Sequence, residues 1–141
     1  MVIEFIKAII GENRIIGAKS LSPVFSWVDA AYAVNPGMKI QAGRAMSMGI
    51  GVIHGKYSKQ KLNVKRSVEA ELVGVSDHLP YNIWLLYFMH DQGHAVENNT
   101  LCQDNQITML MLKNGRNSCT GNSKYVNIGC FFVKNRIDIR K

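Results

Sequence analysis

The hydrophobic period of this chain changes once, near residue 67, and that single change limits the folds open to it. Before it, apolar residues come in short runs broken by Gly49, Gly51 and Gly55. After it, Val68, Leu72, Val75 and Leu79 recur at helical spacing. Strands come first, then helices around one further strand. That order calls for an α/β fold, a mixed sheet with helices packed on its faces.

The individual segments fill in this outline. Residues 2–10 place Val2, Ile3, Phe5, Ile6, Ile9 and Ile10 on a helix-like stripe that Gly11 closes. "VFSWVDAAYAV" (24–34) is β-branched and aromatic, reads as a buried strand, and ends at the turn Asn35-Pro36-Gly37. "GRAMSMGIGVIHGKYSKQKL" reads as two strands in a hairpin turning near Gly49 to Gly51. Ser67 is a candidate N-cap for the helix that follows. Pro80 is expected to break that helix before a second one through Trp84, Leu85 and Phe88. "TLCQ" is a short strand ending at Asp104, and "NQITMLMLKNG" a helix closed by Gly115. "YVNIGCFFVKNRI" is apolar without a decisive period, and helix and strand both remain open for it.

With 141 residues, 47% of them hydrophobic, the chain is long enough for one domain with a real core. Seventeen Lys and Arg against ten acids leave a net charge of +7, which favours a polyanionic partner such as nucleic acid. Cys102, Cys119 and Cys130 show no paired spacing and fit free thiols in a reducing compartment. Glu4 and Lys7 interrupt the apolar N-terminal run, which is neither a signal peptide nor a membrane span. The expected location is intracellular, with no membrane partner.

Few acids stand where chemistry needs them. Asp29 lies within the most apolar strand, where an unpaired carboxylate costs several kcal/mol unless the strand ends early or a cation meets it. Asp104 ends the later strand directly before a helix, where N-cap duty is its ordinary role. Glu69 and Glu71 border the buried stripe of the helix from opposite sides, so periodicity does not choose between them. Acids converging from two strand ends and one helix would repel one another and call for divalent cations, usually magnesium with its oxygen ligands. Two such ions about 3.5–4 Å apart suit phosphodiester cleavage. His90 and His94 read as surface or helix-end residues, the Met109–Met111 run with Leu110 and Leu112 as core packing, and Trp84 as a core tryptophan beside Pro80 and Tyr81.

"SWVDAAYAVNPGMK", "SKQKLNVKRSVEAELVGVSDHLPYNIW" and "QDNQ", in this order and spacing, resemble the ribonuclease H domain of copia-type LTR retrotransposon polyproteins. The resemblance covers 25–137 and implies a ribonuclease H-like mixed sheet flanked by helices. It implies that Asp29, Glu71 and Asp104 are the catalytic metal ligands, holding two Mg2+ or Mn2+ ions, with Glu69 solvated or paired with a nearby base. The implied partner is an RNA/DNA hybrid, whose RNA strand is hydrolysed to a 3′-hydroxyl and a 5′-phosphate. Lys56, Lys59, Lys61, Lys65 and Arg66 flank the helix of Glu71 and are the candidate nucleic-acid contacts. Residues 1–20 resemble the tail of a preceding reverse transcriptase, and 21–141 a ribonuclease H-like domain lacking its last strand and helix. The rest of such a polyprotein is then a partner, in the cytoplasm (in a virus-like particle) or the nucleus. Where the family reads "TKSSTEAE" this chain has "VKRSVEAE", and Tyr125 and Asn127 stand for His and Asp. The family's fourth acidic ligand lies beyond the match. The resemblance with these departures implies weak or lost activity, and the alternative is a non-catalytic basic nucleic-acid-binding remnant. A third alternative is an unstable reading frame with no molecular role.

Overall fold

A computed structural model describes residues 7, 10–13, 15–31, 40–62, 64, 66–115 and 124–138. All of the expected N-terminal helix over 2–10 except residues 7 and 10, and the Asn35-Pro36-Gly37 turn, fall outside the described residues.

The strand expected at 24–34 is β2, Pro23–Ala31, following a two-residue β1, Gly17–Ala18. Its burial alternates: Val24, Ser26, Val28 and Ala30 are buried, while Trp27 and Asp29 point to the other side and are exposed. Asp29 is therefore not desolvated, contrary to the reading of a uniformly buried strand. The apolar residues around it belong to two faces, and only one of them packs.

The hairpin is present. Strand β3, Gln41–Ser47, pairs antiparallel with β2, aligning Asp29 with Gly43, and with β5, His54–Lys59, aligning Met46 with His54. The turn between them holds β4, Gly49–Ile50, which pairs antiparallel with β1. Gly49 (φ 110°) and Gly51 (φ 67°) supply its left-handed backbone, a conformation that costs glycine little. Strand β6, Asn98–Cys102, runs parallel to β2 and completes a sheet of order β5-β3-β2-β6. The chain thus adopts the α/β class expected, a mixed sheet flanked by helices.

Among the described residues the helices cover one side of that sheet. Helix α1, Ser67–Asp91, is continuous, with Pro80 inside it instead of breaking it. Pro80 is itself exposed, so water can satisfy the Ser76 carbonyl left without a partner N–H. The cap position falls on Arg66, not Ser67, and no side chain caps it. Every residue from Glu69 to Val75 is buried, the mark of a helix enclosed on all sides. Gly74 lies at this close approach: a Cβ there would stand 3.1 Å from Val28 Cγ1, which would have to give by a few tenths of an ångström.

Helix α2, Gln106–Asn114, is closed by Gly115 at φ 65° as expected. The undecided last segment is helix α3, Lys124–Asp138. Together they bury α1 through Leu112, Val126 and Val133, which share a core cluster with Leu72, Val73 and Val75. Two expectations fail here. Leu110 is 62% exposed and Trp84 likewise 62%, so neither is a core residue. Cys102 is a free thiol, but Cys130, fully buried in α3, is disulfide-bonded, against the expectation of free thiols. His90 and His94 are exposed as expected.

Candidate metal centre

Parallel pairing of β2 with β6 brings two of the acids together. The register runs from Pro23 opposite Asn98 to Trp27 opposite Cys102, so the same offset two residues further on aligns Asp29 with Asp104. The ladder stops at Cys102, and the backbone beyond it lacks a strand partner on that side. Glu71 of α1 enters the gap: its Oε1 accepts from the Ala30 N–H at 3.1 Å. Carboxylate oxygens of Asp29, Glu71 and Asp104 then lie within 4.8 Å of one another. Their position outside the carboxyl ends of parallel strands is where α/β sheets present ligand sites.

The three acids are not equivalent. Asp29 and Asp104 are exposed, whereas Glu71 is 6% exposed. Gln103 fixes its second oxygen, donating from Nε2 to Oε2 at 3.1 Å. Burial pushes the Glu71 carboxyl above its usual range, and the charges of Asp29 and Asp104 push the same way. The bonds from Ala30 and Gln103 oppose that rise without cancelling it. Three hard oxygen donors crowded at this spacing fit a divalent cation such as Mg2+, whose charge would relieve their repulsion.

"QDNQ" divides its duties among successive residues. Gln103 orients Glu71 and also accepts from the Asn105 N–H at 3.0 Å. Asn105, not Asp104, caps α2, its Oδ1 accepting from the Thr108 N–H at 3.0 Å. Asp104 is thereby left to face the other acids. Sequence reading assigned no role to Gln103 or Asn105, although an Asn directly before an apolar helix is a recognisable cap signal. Glu69 is 9% exposed and hence not solvated, as the sequence reading allowed. It sits in the fully enclosed stretch of α1.

Asp29 and Asp104 line a groove of about 970 Å³ whose walls include Trp27, Gly43, Lys56 and Tyr57. Gly43 and Ala45 keep the sheet surface low between the aromatic rings. Lys56 is exposed, with its ammonium 5.7 Å from the centre of the Tyr81 ring. Arg44, which sequence reading passed over, places its guanidinium 4.5 Å over the same ring and donates to the Asp77 carbonyl at 2.9 Å. Lys59, Lys61 and Arg66 are exposed along β5, beyond its end and at the start of α1. Lys65 lies outside the described residues.

No protein-family model matches this chain, and no curated protein does. Among solved structures it is similar to the RNase H1 from the halophilic archaeon Halobacterium salinarum NRC-1, at 17% identity and a TM-score of 0.45. The likeness covers 80% of this chain and 77% of that one. It is too loose to add to what strand order and direction already establish. What they establish is a mixed sheet flanked by helices: three antiparallel strands, a helix, and a fourth strand parallel to the first of the three. No helix among the described residues is long and apolar enough to cross a membrane.

Proposed function

We propose that this chain is a ribonuclease H-type hydrolase that cleaves the RNA strand of an RNA/DNA hybrid with the help of divalent cations. The convergence of Asp29, Glu71 and Asp104 within 4.8 Å carries this reading. Bound there, Mg2+ or Mn2+ would supply Lewis acidity toward a phosphoryl oxygen and a water that ionises near neutral pH. The chain's own residues do the positioning. Glu71 is held by Ala30 and Gln103 so that both its oxygens keep their direction. Asp29 and Asp104, more exposed, face the groove where a phosphodiester would lie. Lys56, Lys59, Lys61, Lys65 and Arg66 neutralise the phosphates of the hybrid, in keeping with the net charge of +7.

The proposal extends to origin: a copia-type retroelement polyprotein, with residues 1–20 continuous with a reverse transcriptase and 21–141 the hydrolase domain, acting in a cytoplasmic particle or the nucleus. Cleavage is slow, because Val64, Arg66 and Val68 replace the small polar start of the family's helix. The test is cleavage of an end-labelled hybrid with Mg2+ or Mn2+, beside the Asp104→Asn protein. Slow cleavage that vanishes in the variant is the expected result. Metal-independent cleavage, or equal rates in both proteins, would sink the proposal. The second reading is binding without catalysis, favoured by Arg44 and Lys56 gathered over Tyr81 beside the groove. Its signature is salt-sensitive hybrid binding that requires no divalent cation.

A further inference from the structure

Three nitrogen-bearing side chains gather beside Tyr81 where β3, β5 and α1 meet. In the β3–β5 ladder Arg44 stands opposite Lys56 and Met46 opposite His54, so Arg44 and His54 are diagonal neighbours on one face of the sheet. On that face Val28, aligned with Arg44, packs against α1. The Tyr81 ring of α1 stacks on His54 with 5.7 Å between centroids and lies 4.5 Å from the Arg44 guanidinium. His78, one turn earlier on the same side of the helix, is fully buried and feels the charges of both Arg44 and His54.

The polar atoms of this cluster are orphans. Arg44 Nε, His54 Nε2 and both ring nitrogens of His78 are buried without a hydrogen-bond partner. Arg44 donates from Nη1 to the Asp77 carbonyl at 2.9 Å, which leaves its Nε–H unused. That group can only donate, and each imidazole can carry a proton on a nitrogen that lacks a partner. Among the described residues no carboxylate pairs with Arg44, His54 or His78. The Lys56 ammonium, 5.7 Å from the centre of the Tyr81 ring, adds positive charge nearby. Buried donors without an acceptor are costly, so the group that would complete this cluster is an acceptor. A water is a poor choice, because it brings two hydrogens that need acceptors of their own. An anion asks for donors alone.

We propose that Arg44, His54 and His78 bind a small inorganic monoanion of the chloride class at the joint between the β3–β5 hairpin and α1. A single negative charge balances the Arg44 guanidinium, and a spherical ion accepts from donors arriving from three elements without a directional demand. A phosphate-like oxyanion fits less well: it loses more hydration on burial, and each of its oxygens would need a donor in a cluster already closed to solvent. Bound there, the ion fastens the hairpin to the helix. The site uses none of Asp29, Glu71 and Asp104, so it stands or falls apart from the hydrolase reading.

Bromide is the probe, because it substitutes for chloride and its anomalous scattering locates it. Crystals of the full chain grown in sodium bromide should show an anomalous peak in contact with Arg44 Nε and the His78 ring. In solution, thermal unfolding is followed at pH 7 and constant ionic strength while sodium gluconate is replaced by sodium chloride. Arg44→Met, which keeps a hydrocarbon stem over Tyr81 but removes the donors, is measured alongside. General effects of the anions on the surface are common to both proteins, so the difference between them reports the site. The parent's midpoint should gain about 3 °C over the variant's at saturating chloride. An equal response in both proteins, or bromide found only elsewhere on the molecule, would overturn the proposal. If Arg44→Met does not fold, the bromide position in the parent crystal decides alone.

Discussion

The two halves of α1 are one helix in two environments. From Glu69 to Val75 every residue is buried, because the sheet lies on one side and α2 and α3 on the other. Beyond Pro80 only the sheet side is covered. Leu85, Leu86 and Met89 pack with Val24, Met46 and Met48, while Trp84, Tyr87 and Phe88 stand 62, 61 and 46% exposed. The second half is an ordinary amphipathic helix. The first is a buried rod that nevertheless contains two glutamates. Packing on all sides allows Glu71 little freedom, and this rigidity is what a metal ligand needs from its support.

The sharpest way to break this contrast is to truncate one large apolar residue in each half. Leu72 is fully buried, and Leu72→Ala should cost about 2–5 kcal/mol. Trp84 is the larger side chain, yet Trp84→Ala should cost only about 1 kcal/mol, mostly through its stacking on Phe88 at 5.5 Å. Urea denaturation of both variants measures the difference. Comparable losses would mean that Trp84 is covered in solution and that the two halves are alike.

The same contrast explains what the sequence disclosed. The change of period near Ser67 is visible because a sheet and a helix bundle impose different spacings, and the order of elements followed from it. The ends of the argument were harder. "SWVDAAYA" is apolar on both faces, so nothing local announced that Asp29 turns away from the core. Helix α3 exposes Tyr125, Ile128 and Phe131, which blurs the stripe that would have marked it as a helix. Pro80 read as a break because the rule concerns the lost hydrogen bond, and exposure decides whether water replaces it. The acid trio was named through its resemblance to a family. Its geometry depends on the β2–β6 offset, which no single segment encodes.

Two buried ionisable groups on α1 sharpen the comparison through pH. His78 has no exposed surface and neither ring nitrogen has a partner, and burial first, then Arg44 and His54, lower its pKa from 6.5 to about 4. The unfolded chain binds this proton more readily than the folded one. His78 therefore contributes stability above pH 6.5 that is lost as the pH falls toward 4, in all about 3 kcal/mol. Glu71 has the opposite sign. Its raised pKa gives stability below a glutamate's ordinary value of 4.5 that is lost as the pH rises through the folded value. Thermal unfolding of His78→Leu should accordingly show a flatter acid limb, while Glu71→Gln should be relatively more stable than the parent at pH 7 without metal. If both variants follow the parent curve, the burial assigned to α1 is wrong.

The smallest expected effect concerns the turn that places Asp104. Helix α1 begins at Arg66 without a side-chain cap, whereas α2 begins at Asn105 with one. The long helix is held by packing and can dispense with the cap. The nine-residue α2 has far less packing to rely on, burying only Thr108 and Leu112. Asn105→Ala should thus cost about 1 kcal/mol. It should also loosen the turn in which Gln103 accepts from the Asn105 N–H, and with it the hold on Glu71. Such outlying supports typically change metal affinity about 10–100-fold. Mn2+ titration by calorimetry should therefore show a larger effect than denaturation does. A stability loss with unchanged Mn2+ affinity would mean that Glu71 is positioned by the enclosed half of α1 alone, and that Gln103 merely satisfies a buried oxygen.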